Sequence, residues 1–104
     1  MFSIIIPIYN CEEYLARCLN SLINQTSKEF ELICINDAST DKTAVILESY
    51  ISEFSSMKIF TNERNKGAAY SRQRGIIEAS YENIVFIDAD DYVCLLYTSD
   101  AADE

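Results

Sequence analysis

The sequence predicts an α/β fold built on a parallel, doubly wound sheet. Apolar runs rich in β-branched residues alternate with stretches whose apolar residues recur at helical spacing, which gives the order βαβαβαβ. The connections between these segments are short, and strands joined in this way form a parallel sheet with crossing helices. A hydrophobic fraction of 49% in 104 residues is enough for the core of one small domain.

The first strand is predicted at SIIIPIY (3–9), a nearly continuous apolar run typical of a strand buried on both faces. Asn10 then has the character of a helix N-cap, and Glu13 stands where it would complete a capping box. The helix that follows is amphipathic. Its apolar face is formed by Tyr14, Leu15, Cys18, Leu19, Leu22 and Ile23.

The remaining elements repeat this alternation. A second strand, FELICIND (30–37), precedes the polar segment ASTDKT, whose Ser39, Thr40 and Asp41 are predicted to cap the next helix. The apolar residues of that second helix are Ala44, Leu47, Tyr50, Ile51 and Phe54. A third strand (57–63), a third helix from Gly67 to about Ser80 and a fourth strand (83–90) complete the pattern.

Charge and composition exclude several classes of function. With 8 basic and 17 acidic side chains the net charge is −9, so the chain lacks the basic surface that binds a nucleic-acid backbone. The absence of histidine excludes Ser-His and Cys-His catalysis within these residues. The first residues have neither the pattern of a signal peptide nor the length of a membrane span. Cys18 and Cys34 are expected to be reduced and buried, which favours a cytoplasmic location.

Polar residues at the strand ends are the candidates for ligand binding, because ligands of doubly wound sheets bind outside the carboxyl ends of the strands. Pro7 interrupts the first strand and indicates an edge, a bulge or a kink that faces a ligand. Tyr9 could stack on a planar base, the alternative being an ordinary core tyrosine. Asp37 could accept a hydrogen bond from a base N–H, the alternative being a turn residue.

The third helix offers a candidate phosphate site. Gly67 opens this helix and Arg72 follows one turn later, and a helix N-terminus with an arginine can steady a phosphate. The alternative is a solvated arginine with a close helix–sheet contact at Gly75. The segment matches neither the P-loop nor the G-x-G-x-x-G dinucleotide pattern.

The acidic segment FIDADD is the strongest chemical signal. Asp88, Asp90 and Asp91 fall close together at the end of an apolar strand, where such crowding is costly unless a cation compensates. Mg²⁺ or Mn²⁺ commonly joins one or two carboxylates to phosphate oxygens. The segment therefore predicts a metal site, the alternative being a polar loop with helix-capping aspartates.

Together these motifs resemble the N-terminal half of the family-2 glycosyltransferases. The blocks SIIIPIYN, YLARCLNSL, ELICINDASTD, NKGAAYSRQRGI and FIDADDY stand in the family's order and spacing and cover essentially all of residues 1–92. The resemblance implies a Rossmann-like sheet of the GT-A type, truncated here after the fourth strand. It also implies an inverting, metal-assisted enzyme that transfers a sugar from a nucleotide-diphosphate sugar, expected to be UDP-linked, to an acceptor hydroxyl.

The resemblance assigns roles to residues that match the family's motifs. Tyr9 and Asp37 match contacts to uracil or another base, and Pro7 and Glu13 match residues that shape the same pocket. Arg72 matches an arginine near the nucleotide.

The resemblance also interprets the acidic segment as a D-x-D motif. Asp88 is expected on the ribose side, and Asp90 is expected to bind the Mg²⁺ or Mn²⁺ that holds the diphosphate. The family's general base lies downstream of this motif, so no catalytic residue is assigned here. The parent is expected to be an enzyme, and the fragment itself is expected to be inactive.

The chain is predicted to consist of a nucleotide-binding part, residues 1–93, and a non-native tail, residues 94–104. The tail CLLYTSDAADE has no counterpart in the family and resembles the translation of a transposon-type sequencing adapter. Its carboxylates are therefore not taken as the missing base.

The expected partners are a nucleotide-diphosphate sugar and an acceptor glycan or lipid-linked sugar, with no nucleic acid. Many relatives build cell-surface polysaccharide, so the parent is expected in the cytoplasm or at the cytoplasmic face of a membrane. One alternative is a non-catalytic nucleotide-binding module, a truncated or degenerate GT-A domain. A phosphatase of the haloacid dehalogenase type is disfavoured, since its D-x-D belongs on the first strand.

Overall fold

The computed structural model describes residues 1–25 and 29–89, and these residues form four strands and three α-helices. In chain order the elements are β1 (Phe2–Ile8), α1 (Leu15–Ile23), β2 (Phe30–Asn36), α2 (Thr43–Ser49), β3 (Met57–Thr61), α3 (Ala68–Glu78) and β4 (Ile84–Phe86). A single turn of 3₁₀ helix, Ile51–Glu53, follows α2. The predicted order βαβαβαβ is confirmed.

All four strands are parallel and lie in the order β3-β2-β1-β4. β1 is central and pairs with β2 over its full length, from Phe2 opposite Phe30 to Ile8 opposite Asn36. A parallel sheet that grows in both directions from its first strand is doubly wound, so the predicted sheet type is confirmed.

The sheet is buried on both faces, which explains the nearly continuous apolar runs of β1 and β2. Helices α1 and α2 cover one face, and the cluster there includes Ile4, Ile6, Ile8, Leu15, Cys18, Leu19, Leu22, Leu32, Cys34 and Leu47. Helix α3 covers the other face, where Ile5, Ile33 and Ile35 are fully buried. Helix α3 lies especially close at Gly75, where a Cβ atom would overlap the Ile5 side chain. The close contact considered for Gly75 is therefore confirmed.

Helices α1 and α2 differ from the prediction at their ends. Helix α1 begins at Leu15, and Tyr14 is exposed rather than part of the apolar face. Helix α2 buries Thr43 and Leu47, whereas Ala44 is exposed in its first turn and Ile51 is exposed in the 3₁₀ turn that follows the helix end at Ser49. None of the helices in the described ranges has the length and hydrophobicity that a membrane crossing requires.

The fourth strand is shorter than the predicted 83–90, and Pro7 of β1 explains why. Strand β4 ends at Phe86, and the last ladder bond runs from the Ile87 N–H to the Ile5 carbonyl, at 3.1 Å. In a parallel ladder the next bond would be donated by residue 7 to the carbonyl of residue 87, and proline has no N–H. Pro7 thus ends the pairing from within a central strand, and the edge position considered for it is wrong.

Glu31, at the start of β2, links the residues that follow α3 to the amino-terminal ends of the neighbouring strands β1 and β3. Its buried carboxylate accepts hydrogen bonds from the Ser3 hydroxyl (2.6 Å) and the Ser80 N–H, and it pairs with the Lys58 ammonium (3.3 Å). Burial opposes ionisation of Glu31, but these donors outweigh it and lower the pKa of the carboxyl.

Cys18 and Cys34 are buried thiols, as predicted. Burial raises the pKa of the Cys34 thiol, and the neighbouring Cys18 raises it further, so Cys34 is an unreactive core residue. Residues 94–104 lie outside the described residues, and the boundary predicted after Val93 stays a prediction.

Candidate functional site

The strand order places a crevice at the carboxyl ends of β1 and β4. From β1 the chain adds β2 and β3 on one side and then returns to add β4 on the other side. Doubly wound sheets bind ligands at the point where the strand order reverses in this way. Tyr9 directly follows β1 and Asp88 lies just beyond β4, so two of the predicted site residues lie at this edge.

Arg72 of α3 approaches Asp88 at the end of β4. The Arg72 Nη2 atom lies 4.0 Å from Asp88 Oδ1, and the two side chains are 42% and 63% exposed. An ion pair this long and this exposed contributes little to stability. The structure therefore brings together two residues that were predicted from separate motifs, and it leaves both available to a ligand.

Asp37, directly after β2, is almost fully buried and anchors the loop that leads into α3. Its Oδ1 atom accepts hydrogen bonds from the Asn62 side-chain amide and the Lys66 N–H, both at 2.8 Å. Its Oδ2 atom accepts the Gly67 N–H at 2.9 Å. The two backbone donors lie just before Ala68, the first residue of α3, where the helix dipole favours an anion. The N-terminal region of α3 thus holds the Asp37 carboxylate.

Asn62 is a site residue that the sequence analysis did not single out. It follows β3, is buried, and donates from its amide nitrogen to Asp37 Oδ1 and to the Ser71 hydroxyl (3.1 Å). Its amide oxygen accepts a hydrogen bond from Arg74 Nη1 at 2.9 Å. Asn62 lies at a strand end, where site residues are expected. Its hydrogen-bond partners lie in α3 and directly after β2, however, and cannot be identified from the local sequence.

The loops that follow β1 and β2 are tied together by Asn10. Its amide oxygen accepts the Thr40 N–H at 2.8 Å, and its own N–H donates to the Ser39 hydroxyl at 2.9 Å. The prediction that Asn10 caps α1 is wrong, because that helix begins at Leu15 without a side-chain cap. Asn10 and Ala38 have left-handed φ angles of 51° and 62°, a conformation that asparagine adopts more readily than alanine.

Glu12, rather than Glu13, makes the second link between these loops. The Glu12 N–H donates to Asp41 Oδ2 (3.2 Å), and its carboxylate accepts the Lys42 N–H (3.0 Å). The prediction that Ser39, Thr40 and Asp41 cap α2 is wrong, because the N-cap position is Lys42 and makes no side-chain cap bond. Asp41 nevertheless accepts the N–H of Thr43, the first residue of the helix. Burial opposes ionisation of Asp41, but the bonds from Thr43 and Glu12 outweigh it and lower its pKa. Glu13 is exposed, and its contribution to a pocket stays a prediction.

Tyr9 and Pro7 lie at the crevice, and their roles in base binding stay predictions. The Tyr9 side chain is 47% exposed rather than part of the core. Pro7 is partly buried, and the β1–β4 ladder ends at this residue.

The donors near the crevice suit Mg²⁺ or Mn²⁺ in their chemistry. Asp88 offers exposed carboxylate oxygens, which are the hard ligands that these ions prefer. Within residues 1–25 and 29–89 no group of three or more His, Cys, Asp or Glu side chains could enclose a metal without help. Asp90, the predicted metal ligand, lies outside the described residues. A few carboxylates completed by phosphate oxygens are the usual way in which proteins bind magnesium nucleotides.

Comparison with known proteins identifies the family. A family model described as Glycosyl transferase family 2 matches residues 3–94. The chain belongs to this family. A poly(ribitol-phosphate) β-glucosyltransferase from Bacillus spizizenii is 37% identical over 94 residues, which cover 88% of this chain and 15% of that protein.

Two solved structures have the same fold. The crystal structure of S. aureus TarS 1-349 in complex with UDP-GlcNAc superposes with a TM-score of 0.88 and 38% identity, over 97% of this chain and 30% of that one. A Pyrobaculum calidifontis mannosyltransferase, solved in complex with GDP-Man and Mn²⁺, superposes with a TM-score of 0.81 over 88% of this chain and 28% of that one. At 21% identity this second likeness shows the fold alone. The predicted Rossmann-like sheet of the GT-A type is confirmed, and the chain spans less than a third of each of these relatives.

Proposed function

We propose that this chain is the nucleotide-binding half of a glycosyltransferase whose parent transfers a sugar, with inversion, from a nucleotide-diphosphate sugar to an acceptor hydroxyl. The observation that carries the proposal is the approach of Arg72 to Asp88 at the switch point of a family-2 domain. The TarS structures, at 38% identity, contain UDP or UDP-GlcNAc, which favours a UDP-linked donor here.

The base is proposed to lie against Asp37 and Tyr9. A carboxylate has about four acceptor directions, and donors in the described part of the chain occupy three of those of Asp37. The remaining direction can only accept, so it suits a base with a ring N–H, such as uracil, and it repels the bare ring nitrogen of cytosine. The exposed ring of Tyr9 offers a face for stacking, with Pro7 and Glu13 proposed as the adjoining wall.

The diphosphate is proposed to lie beside Arg72, with the ribose near Asp88. The guanidinium is partly exposed and can donate two parallel hydrogen bonds to phosphate oxygens. Asp90 together with the diphosphate would hold Mg²⁺ or Mn²⁺, which stabilises the negative charge of the departing nucleotide.

For the 104-residue chain itself we propose binding without sugar transfer, since the family resemblance puts the general base downstream of Asp90. An acceptor glycan or lipid-linked sugar, a role in polysaccharide biosynthesis and a cytoplasmic location, free or at the membrane face, extend the same proposal to the parent. A non-catalytic nucleotide-binding module is the second candidate. It would show the same binding in the chain and no transfer in the parent.

Calorimetric titration with UDP, with and without Mn²⁺, tests this proposal. We expect metal-dependent binding that weakens by about tenfold or more in Asp88→Asn and in Arg72→Gln, because each removes one charged contact to the ligand. Glu48→Gln, an exposed change on α2, is the matched control and should bind as the wild type does. Absence of UDP binding to the wild type, or equal affinity in all four proteins, would contradict the proposal.

A further inference from the structure

We propose that Asn62 is a positioning residue for base recognition, acting through Asp37. Its amide fixes which oxygen of the Asp37 carboxylate is offered to the base. This inference rests on the proposed function, because it assumes that a nucleotide base lies against Asp37.

The Asn62 amide is held in one orientation. Its nitrogen donates to Asp37 Oδ1 at 2.8 Å and to the Ser71 hydroxyl at 3.1 Å, and its oxygen accepts from Arg74 Nη1 at 2.9 Å. The reversed amide would set its NH₂ group against the guanidinium and its oxygen against the carboxylate, and both contacts are repulsive. Because the residue is only 3% exposed, water cannot readily replace these partners.

This orientation makes the two oxygens of Asp37 unequal. Within residues 1–25 and 29–89, Oδ1 accepts two hydrogen bonds, from Asn62 and Lys66, whereas Oδ2 accepts one, from Gly67. Since each carboxylate oxygen accepts about two hydrogen bonds, the remaining acceptor direction lies on Oδ2. Without Asn62 both oxygens would have a free direction, and the carboxylate would have lost the side-chain donor that restricts its rotation.

Arg74 of α3 supports this arrangement through contacts with the end of β3. Besides Asn62 Oδ1, its Nη1 atom donates to the Thr61 carbonyl at 3.1 Å, and its guanidinium lies 5.4 Å from the centre of the Phe60 ring. Arg74 borders an open polar depression and is not part of the core, so its replacement should leave the fold intact. Two consecutive hydrogen bonds, from Arg74 to Asn62 and from Asn62 to Asp37, thus connect a partly exposed cation to the acceptor that is proposed to contact the base.

The discriminating measurement is the ratio of UDP to CDP affinity, because uracil has an N–H at ring position 3 and cytosine has a bare nitrogen there. A residue that only supports the fold would change the affinity for both nucleotides equally. A residue that aims the acceptor should weaken UDP binding and leave CDP binding, which depends on the phosphates, within about twofold. Loss of one well-aimed hydrogen bond to a charged acceptor corresponds to about tenfold in affinity.

The experiment titrates the 104-residue chain with UDP and with CDP in the presence of Mn²⁺, using wild type, Asn62→Ala, Arg74→Met and the control Asn65→Ala. Circular dichroism establishes that each variant is folded. We expect the wild type and the control, an exposed asparagine of the same loop, to prefer UDP by about tenfold or more. The preference should approach unity in Asn62→Ala and fall severalfold in Arg74→Met, which serves as the test if Asn62→Ala does not fold.

An unchanged UDP preference in a folded Asn62→Ala or Arg74→Met would overturn the inference, as would an equal loss of UDP and CDP binding. Failure of the wild type to bind either nucleotide would instead contradict the proposed function, and the inference would be withdrawn with it.

Discussion

Replacing Asp37 by asparagine tests how strongly the carboxylate holds the β2 and α3 ends of the site together. The substitution keeps the shape of the side chain and removes its charge. In the wild type the two carboxylate oxygens accept hydrogen bonds from three N–H groups, and the asparagine amide has only one oxygen for these donors. The best orientation places the amide oxygen at Oδ1, which keeps the bonds from Asn62 and Lys66. The new NH₂ group then faces the Gly67 N–H, and this partly buried donor is left without an acceptor.

The cost follows from these three contacts. An unpaired donor costs about 1–3 kcal/mol when it is fully buried, and about 1–2 kcal/mol is expected for the partly buried Gly67 N–H. The two retained bonds change from a charged to a neutral acceptor, which weakens each by roughly 0.5–1 kcal/mol. We therefore expect Asp37→Asn to lower the free energy of unfolding by about 2–4 kcal/mol, a large part of the 5–15 kcal/mol typical of small domains.

Urea unfolding followed by circular dichroism measures this change. With a slope of roughly 1.3 kcal/mol per molar urea, the midpoint should fall by about 1.5–3 M. Asp88→Asn is the matched control, because that carboxylate is exposed and makes only a long ion pair, and its midpoint should change by less than about 0.4 M. An equally small change in the midpoint of Asp37→Asn would refute the reasoning, since it would mean that the three donors find equivalent partners elsewhere.

Two further predictions concern the backbone and the pH dependence of stability. Ala38 has a left-handed φ of 62°, so Ala38→Gly should stabilise the protein by about 0.5 kcal/mol and raise its thermal midpoint by roughly 2–4 °C; a lower midpoint would show that the angle carries no strain. The lowered pKa of Glu31 means that its ionised form stabilises the fold fully above pH 4.5, the ordinary value, and that this contribution disappears as the pH falls through the lowered value. Glu31→Gln should therefore be less stable than the wild type at neutral pH, and the difference should shrink below about pH 4.5; a difference independent of pH would contradict the role given to the charge.

The sequence by itself determined the fold class and the edge of the sheet that carries the site. Strands buried on both faces must be apolar at nearly every position, so β1 and β2 were recognisable without knowledge of their neighbours. The parallel order followed from the alternation of strands and helices. Once the sheet was known to be doubly wound, the polar residues at the strand ends had to meet at one edge, and it is there that Arg72 of α3 approaches Asp88.

The tertiary structure alone decided the partners of the polar residues and the ends of several elements. Asn10 has the local sequence of a helix cap, yet it bonds to Thr40, whose loop lies next to it only because β1 pairs with β2. Strand β4 stops where Pro7 faces it, and no feature of the β4 sequence contains that information. The role of Asn62 likewise depends on the packing of α3 against β2 and β3.

The physical reason is the range of the interactions. Periodicity, capping and burial patterns act over a few residues and are written locally in the chain. The hydrogen bonds that shape the candidate site join residues that are far apart in sequence, such as Asp37 with Asn62 and Gly67. These partners are selected by strand order and register, which the sequence specifies only through the folded sheet.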